Sequence, residues 1–276
     1  MPAWIELDGL VNLRDVGGLP TTDGRAIRTG ALLRSDNLQD LTVDDVATLV
    51  DRGVTDVVDL RTDYEVASTG PGPLTRMPGV EIHHHSMFKE AADGRAEVDD
   101  PDVAPEPLPR DQTVDTDELD ERTLPWVGLT PSERHANPMT AHYLSYLVDR
   151  PDSVLAALRV IAGAEGATLV HCAAGKDRTG TIVALALLLA GAEPEAVVAD
   201  YVATGERMQA ILDRLMSSQT YRPNLEGRPL SDHMTRSETM RDVIEHIQTA
   251  WGGVDELLTS IGWTEADTER LRAKLR

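Results

Sequence analysis

Residues 167–190 constrain the fold most, because two apolar stretches there flank one short polar loop. The first stretch, ATLV, begins a segment typical of a buried strand over 167–172, and the second, TIVALALLLA, is typical of a buried helix that starts near residue 179. Between them lies HCAAGKDRTG, residues 171–180. A buried strand, a polar loop and a buried helix indicate an α/β fold, in which ligands commonly bind at the carboxyl ends of the strands.

Other segments fit the same fold class. VTDVVDL (54–60) and GVEIHHHSM (79–87) predict two further strands, and LTVDDVATLVDRG predicts a helix capped by Thr42 with Asp45 three residues later. Turn signals near the N-terminus predict a hairpin. We therefore expect one domain over 1–276, with a mainly parallel central sheet flanked by helices and extra helices towards the C-terminus.

The negative charge of the chain is concentrated in one segment. The formal net charge is −21, and residues 90–121, with thirteen acidic residues and two arginines, contribute −11 of it. Residues 90–133 are acidic and proline-rich and lack a sustained period, which predicts a flexible, solvated insertion. The alternative is a mobile flap beside the functional site.

Composition excludes several classes of protein. The acidic balance disfavours nucleic-acid binding. The single cysteine, Cys172, excludes an internal disulfide and a cysteine-rich zinc site. No apolar stretch reaches membrane-spanning length and no secretory signal is readable, so the sequence predicts a cytoplasmic protein, with export lacking a cleavable signal left open.

The loop itself has the composition of an anion site. The free N–H groups and the dipole at the start of the following helix favour an anion. Gly175 permits unusual backbone angles, and Arg178 offers a planar fork to two phosphate oxygens. The same positive field favours the thiolate form of Cys172, which would make it a nucleophile beneath a bound phosphate. The alternative is an inert turn with a buried cysteine. The coincidence of Cys, Gly, Lys, Asp and Arg in one short loop between a strand and a helix disfavours it. The backbone predicted to surround the phosphate is that of Ala173, Ala174, Gly175, Lys176, Asp177 and Arg178.

HCAAGKDRTG resembles the Cys-x5-Arg signature of cysteine-dependent phosphatases, and it is most similar to a bacterial protein tyrosine phosphatase family with a secreted mycobacterial member. NLRDVGG, DGRAIRTGALLRSDNL, GVTDVVDLRTDYEV and VVADYV look like the same family, so the resemblance covers most of the chain outside 90–133. It implies the cysteine-phosphatase fold and hydrolysis of phosphotyrosine proteins or peptides to inorganic phosphate. Neither metal nor cofactor is implied.

The resemblance also implies roles within the loop. Cys172 would form a phosphocysteine and Arg178 would stabilise the transferring phosphoryl group, while loop amides hold its oxygens. The hydroxyl of Thr179 would hydrogen-bond the Cys172 sulfur. His171 would orient the loop from below.

A leaving oxygen needs a proton, and the sequence offers several donors. There is no Trp-Pro-Asp tripeptide; LPWVG has Pro and Trp in the opposite order. The resemblance implies Asp177, inside the loop. Asp59 and Asp63 are rivals because their segment leaves the end of a neighbouring strand and should face the loop, and Glu65 is a weaker candidate at the rim. For Asp59 and Arg61 the alternative is a structural ion pair beside the loop.

The sequence leaves more than one substrate class and more than one class of protein open. Lys176 adds positive charge, which suits phosphoinositides or dual specificity as well as phosphate in general. A rhodanese-like sulfurtransferase also holds a cysteine in an anion-binding loop. A phospho-residue binding module is the non-enzymatic alternative, although the presence of both Cys172 and Arg178 disfavours it.

Two other features are given structural interpretations. His83, His84 and His85 are consecutive, so a strand would direct them to opposite faces, which disfavours a shared metal ion and favours a strand entering the edge of the site. ERMQAILDRLMSS predicts an amphipathic helix. The resemblance implies that helices in this region can form a lid, from which an arginine could reach substrate. The candidates are Arg207, Arg214 and Arg222.

Overall fold

The computed structural model describes residues 2–90 and 137–276. Their strands form one sheet. These are β1 Ala3–Trp4, β2 Arg14–Asp15, β3 Leu32–Ser35, β4 Val54–Asp59, β5 Glu81–His84 and β6 Ala167–His171. The order is β1-β2-β3-β6-β4-β5, with β3, β6, β4 and β5 mutually parallel and β1 and β2 antiparallel at one edge. The expected mainly parallel sheet is therefore confirmed.

Helices cover both faces of this sheet. In chain order they are α1 Val43–Asp51, α2 Asp63–Thr69, α3 Pro138–Asp149, α4 Pro151–Gly163, α5 Asp177–Leu189, α6 Pro194–Ala203, α7 Met208–Ser217, α8 Arg222–Leu225, α9 Leu230–His233, α10 Ser237–Trp251, α11 Val254–Ser260 and α12 Glu265–Leu275. In the described part of the chain, no helix combines the length and apolar character needed to cross a bilayer.

Side chains alternate between two cores because successive strand residues point to opposite faces. Leu33, Val57 and Leu169 pack with α1 on one face. Leu32 and Val170 belong to the larger core, which includes residues of α3 to α6 and of α10 to α12. α5 is buried almost along its whole length, including the polar residues of its first turn, and its later turns agree with the apolar run in the sequence.

The local signals in the sequence have clear structural counterparts. Thr42 caps α1 by accepting a hydrogen bond from the backbone nitrogen of Asp45 at 3.1 Å, as expected. The N-terminal region is an antiparallel pair of β2 and β3, in agreement with the predicted hairpin. Residues 91–133 of the predicted acidic insertion lie outside the described residues. The single domain and the flexibility of that insertion stay predictions.

α7 packs against the loop that follows β6 rather than against the main core. Met208, Ile211 and Leu215 form a small apolar cluster with Ala173 of the loop and with Tyr221, which follows α7. The amphipathic face predicted for this helix thus covers the functional loop.

Candidate active site

The loop leaves the central strand β6, so the ends of β3 and β4 lie on either side of it. Cys172 directly follows β6 and is buried. Gly175 has a φ of +67°, and a Cβ there would clash with the carbonyl oxygen of Ser35 and lie 2.7 Å from the backbone nitrogen of Asp36. Only glycine therefore fits at this turn.

Three successive carbonyl groups of the loop are turned towards donors behind it. The hydrogen bonds run from Asn37 N to Ala173 O at 3.0 Å, from Asn12 Nδ2 to Ala174 O at 2.9 Å and from Arg34 Nη2 to Gly175 O at 2.7 Å. A trans peptide directs its N–H opposite to its C=O. The amides of residues 174–176 therefore point away from these donors, as a nest for an anion requires.

The donors behind the loop are themselves fixed by a buried charge network. Asp200, on α6, accepts from Arg14 Nε at 2.8 Å and from Arg34 Nη1 at 2.5 Å. Arg14 also donates to Asn12 Oδ1 at 2.6 Å. Burial raises the pKa of Asp200, but the two guanidinium groups outweigh it and lower that pKa. No role for these residues was predicted from the sequence, although all of them lie in the segments that resemble the family.

Arg178 is clamped by Glu65, whose role the sequence analysis missed. The guanidinium donates from Nη1 to Oε2 at 2.6 Å and from Nη2 to Oε1 at 3.1 Å, and it lies 5.3 Å from the ring centroid of Phe88. Burial raises the pKa of Glu65, but Arg178 outweighs it and lowers that pKa. Glu65 was expected at the rim as a weaker proton-donor candidate; α2 instead turns it inward, because its carboxylate accepts a hydrogen bond from Thr62 N and pairs with Arg178.

Asp59 and Arg61 form a buried ion pair at the end of β4. Arg61 Nη2 lies 2.6 Å from Asp59 Oδ2, and the Arg61 backbone nitrogen donates to Oδ1 at 3.1 Å. Burial opposes the charge on Asp59, but neighbouring His171 and the hydrogen bonds from Arg61 hold the pKa of Asp59 well below its usual range. This geometry is that of the structural ion pair.

His171 lies beneath the loop as an uncharged side chain. Its Nδ1 is 3.3 Å from the carbonyl oxygen of Cys172, and its Nε2 is 3.7 Å from Asp59 Oδ1. Burial lowers the pKa of His171 to about 4, so the ring is neutral at neutral pH. With its proton on Nδ1, the ring would donate to the Cys172 carbonyl and help to fix the start of the loop.

Thr179 does not make the expected hydrogen bond to the sulfur of Cys172. Its hydroxyl is buried and has no hydrogen-bond partner among the described residues. Thr179 belongs to α5, which is packed on nearly all sides, so the side chain is held by packing rather than by the sulfur.

The two remaining proton-donor candidates occupy different environments. Asp63 begins α2, is exposed, and has Oδ1 3.5 Å from His84 Nδ1. Asp177 is buried in the first turn of α5, accepts a hydrogen bond from the Tyr143 hydroxyl, and has Oδ1 3.5 Å from Lys176 Nζ. α5 begins at Asp177 rather than near residue 179, which places this carboxyl in the loop-to-helix turn.

Lys176 is engaged by the segment that covers the loop. Its Nζ donates to the carbonyl oxygen of His233, on α9, at 3.1 Å, and its side chain is largely buried. The ammonium group therefore lies between the loop and α9 in this arrangement.

The consecutive histidines are divided between neighbours, as expected for a strand. His83 and His85 stack with ring centroids 6.5 Å apart, whereas His84 Nε2 lies 2.7 Å from the Arg61 carbonyl oxygen. His83 Nε2 is 2.9 Å from Asp56 Oδ1. One group among the described residues has ligand atoms within 4.8 Å of one another, comprising Asp56, Glu81 and His83. It includes only one of the three histidines.

The three arginines proposed for a lid have other partners. Arg214 Nη2 donates to the carbonyl oxygen of Asn37 at 2.8 Å, so it supports the backbone behind the loop. Arg207 pairs with Glu6, and Arg222 bonds a carbonyl of its own segment.

A buried cysteine at the start of the loop and an arginine clamped at its end, both at the carboxyl edge of a parallel sheet, form the arrangement expected of a cysteine-dependent phosphatase. The sequence model of the tyrosine phosphatase family matches residues 5–276, and the chain accordingly belongs to that family. It is a protein tyrosine phosphatase, and thus a hydrolase.

Individual relatives agree with this assignment over nearly the full chain. The chain is similar to the triple specificity protein phosphatase PtpB of Mycobacterium tuberculosis, with 31% identity over 98% of both chains. It is also similar to a tyrosine-protein phosphatase of Nostoc commune, with 26% identity over 93% of this chain and 78% of the relative.

Proposed function

We propose that the protein hydrolyses phosphotyrosine esters through a phosphocysteine on Cys172. The orientation of the loop carries this proposal, because its carbonyls are engaged from behind and the following amides point to the opposite side, where they would surround a phosphoryl group. Donors fixed before the reaction stabilise the charge that develops in a transition state. A thiolate at the base of such a loop is directed at phosphorus.

Arg178 would bind two oxygens of the transferring phosphoryl group. Its clamp by Glu65 supports this role, because a guanidinium held on one edge by a carboxylate keeps a fixed plane and presents its remaining donors in one orientation. The arginine then loses little freedom on binding phosphate.

We propose Asp177 as the proton donor. Asp59 and Glu65 are each held ionised by an arginine, and Asp63 is exposed at the start of α2. Attack by the Cys172 thiolate forms the S–P bond and breaks the ester P–O bond, while Asp177 gives its proton to the leaving oxygen. In the second step water gives a proton to Asp177 and attacks phosphorus, which releases phosphate and restores the thiolate.

A wider substrate range is a second candidate. A relative is named for triple specificity, and Lys176 places a cation at the loop, which suits the additional negative charge of phosphoinositides or of other phosphoresidues. Membership of a phosphatase family disfavours the sulfurtransferase and the binding module.

The test compares wild type, Cys172→Ser and Asp177→Asn on aryl phosphates with good and poor leaving groups. Cys172→Ser should lose turnover but retain binding of a phosphate analogue. Asp177→Asn should slow esters with poor leaving groups by on the order of a hundredfold or more and spare those with good ones. Full activity of Cys172→Ser would refute the nucleophile, and equal slowing of both esters by Asp177→Asn would refute the donor.

Substrate range is measured separately, with phosphotyrosine peptides, phosphoserine peptides and inositol lipids. Lys176→Met should reduce kcat/KM on inositol lipids more than on phosphotyrosine peptides if the cation contributes to their recognition. Equal reductions would indicate a general attraction for phosphate.

A further inference from the structure

Two buried tyrosines connect the Asp177 carboxyl to α3 and α6. The hydroxyl of Tyr143, on α3, donates to Asp177 Oδ1, and its oxygen lies 2.8 Å from the hydroxyl of Tyr201, on α6. Tyr143, Asp177 and Tyr201 are only 0%, 1% and 3% exposed. A phenol has one proton to donate, so Tyr143 gives its proton to Asp177 and accepts one from Tyr201. The chain of hydrogen bonds has a single direction.

This direction is maintained because neither phenol ionises in the working range. Burial, followed by the nearby charge of Asp177, raises the pKa of Tyr143 well above its usual value and that of Tyr201 to about 12. Both phenols therefore keep their protons, and Tyr143 can donate to Asp177 Oδ1. While it does so, a transferable proton on this carboxyl is carried by Oδ2.

We propose that Tyr143, supported by Tyr201, is a positioning residue that keeps Asp177 Oδ1 as an acceptor and holds the catalytic proton on Oδ2. This inference rests on the proposed role of Asp177 as proton donor. The tyrosines transfer no proton themselves; the Oδ2 proton passes to the leaving oxygen, and the bond from Tyr143 stabilises the carboxylate that remains.

Within the described part of the chain, three other ionisable groups face Asp177. Lys176 Nζ is 3.5 Å from Oδ1. Burial lowers the pKa of His142, on α3, to about 4, and burial together with Lys176 lowers the pKa of His233, on α9. Both imidazoles are therefore neutral at neutral pH, and Lys176 is the cation that remains beside Asp177 when Tyr143 is changed.

The principal test is Tyr143→Phe, assayed on aryl phosphates of graded leaving-group strength and across pH. We expect kcat to fall about tenfold for poor leaving groups, as for one lost hydrogen bond to a charged group, and to stay nearly unchanged for good ones. Loss of the donor destabilises the carboxylate that remains after proton transfer, so the alkaline limb of the kcat profile should move to higher pH.

Tyr146→Phe is the matched control, because Tyr146 lies one turn along α3, is equally buried, and has its hydroxyl 2.6 Å from His142 Nε2 rather than on Asp177. It should leave the leaving-group dependence and the pH profile unchanged. Tyr201→Phe should shift both in the same direction as Tyr143→Phe but less, because Tyr143 keeps its bond to Asp177. If thermal unfolding shows that Tyr143→Phe is not folded, Tyr201→Phe takes its place. A pH profile of kcat in Tyr201→Phe that equals that of the wild type then overturns the proposal.

Failure of the positioning role and failure of the proton donor give different results. A wild-type leaving-group dependence in Tyr143→Phe, with a strong dependence in Asp177→Asn, overturns the positioning role and leaves Asp177 as the donor. An Asp177→Asn enzyme without that dependence refutes the donor, and the inference about Tyr143 fails with it.

Discussion

Gly175 occupies the tightest point of the loop. Its backbone has a left-handed conformation and touches the chain at the end of β3, so neither the conformation nor the space admits a side chain. The contact also brings the Gly175 carbonyl to Arg34, at 2.7 Å. One residue thus sets both the path of the loop and the direction of its amides.

We expect Gly175→Ala to lower kcat/KM by at least tenfold and to destabilise the fold by about 1 kcal/mol or more, because the added methyl group clashes with backbone and strains φ. Steady-state kinetics and thermal unfolding measure the two effects. Gly163→Ala is the control, since Gly163 ends α4 with open space around it and no positive φ. It should be neutral or slightly stabilising. Equal behaviour of the two variants would contradict a steric requirement for glycine in the loop.

For single residues, the sequence predicts a shared role only where the partners lie close together in the chain. Cys172 and Arg178 are recognisable because the loop that joins them is local. Glu65 is not, because it meets Arg178 across 113 positions, and a carboxylate in a capping pattern looks like an ordinary helix start. Asp200 meets Arg34 across 166 positions, so no spacing in the sequence indicates their contact.

Among the helices, α6 has a role beyond packing. Through Asp200 it holds Arg14 of β2 and Arg34 of β3, and Arg34 in turn holds the loop. Three elements and the loop are therefore joined by one buried carboxylate. Replacing it would leave two buried guanidinium groups without their counter-ion, which is costly in a dry interior.

We expect Asp200→Asn to lower the free energy of unfolding by about 3 kcal/mol at neutral pH and to weaken binding of a phosphate analogue. Urea unfolding and a binding titration measure these effects. Glu195→Gln, also on α6, removes an exposed ion pair with Arg241 and should change both very little. An Asp200→Asn protein as stable as wild type would show that the network contributes nothing to the fold.

Helices and strands were more predictable than their contacts. Apolar period and capping residues are local, so α1 begins after Thr42 as expected and β6 ends at His171, one residue before the predicted end. The start of α5 was placed near residue 179 from its apolar run, whereas the polar Asp177 and Arg178 already form its first turn. Tertiary contacts of these two side chains override the polarity pattern.

Across the whole molecule, buried ionisable groups make stability depend on pH in two ranges. Burial lowers the pKa values of His142 and His171 to about 4, against about 6.5 in an unfolded chain. The carboxyls of Glu65 and Asp200 have lowered pKa values because arginines outweigh the effect of burial, and the pKa of Asp59 is lowered because His171 and Arg61 outweigh it. The histidines change the free energy of unfolding between about pH 4 and 6.5, and the carboxylates change it below about pH 4.

The sign for the histidines follows from which state binds more protons. Between about pH 6.5 and 4 the unfolded chain takes up protons at these positions and the folded chain does not, so acidification lowers the free energy of unfolding. Below about pH 4 both states are protonated at these positions, so the histidines cause no further loss. We expect the free energy of unfolding to be lower at pH 5 than at pH 7. His142→Gln should reduce this difference, because it removes one of the two groups. Urea unfolding at both pH values and constant ionic strength measures it, and an unchanged difference in His142→Gln would mean that this imidazole titrates alike in both states.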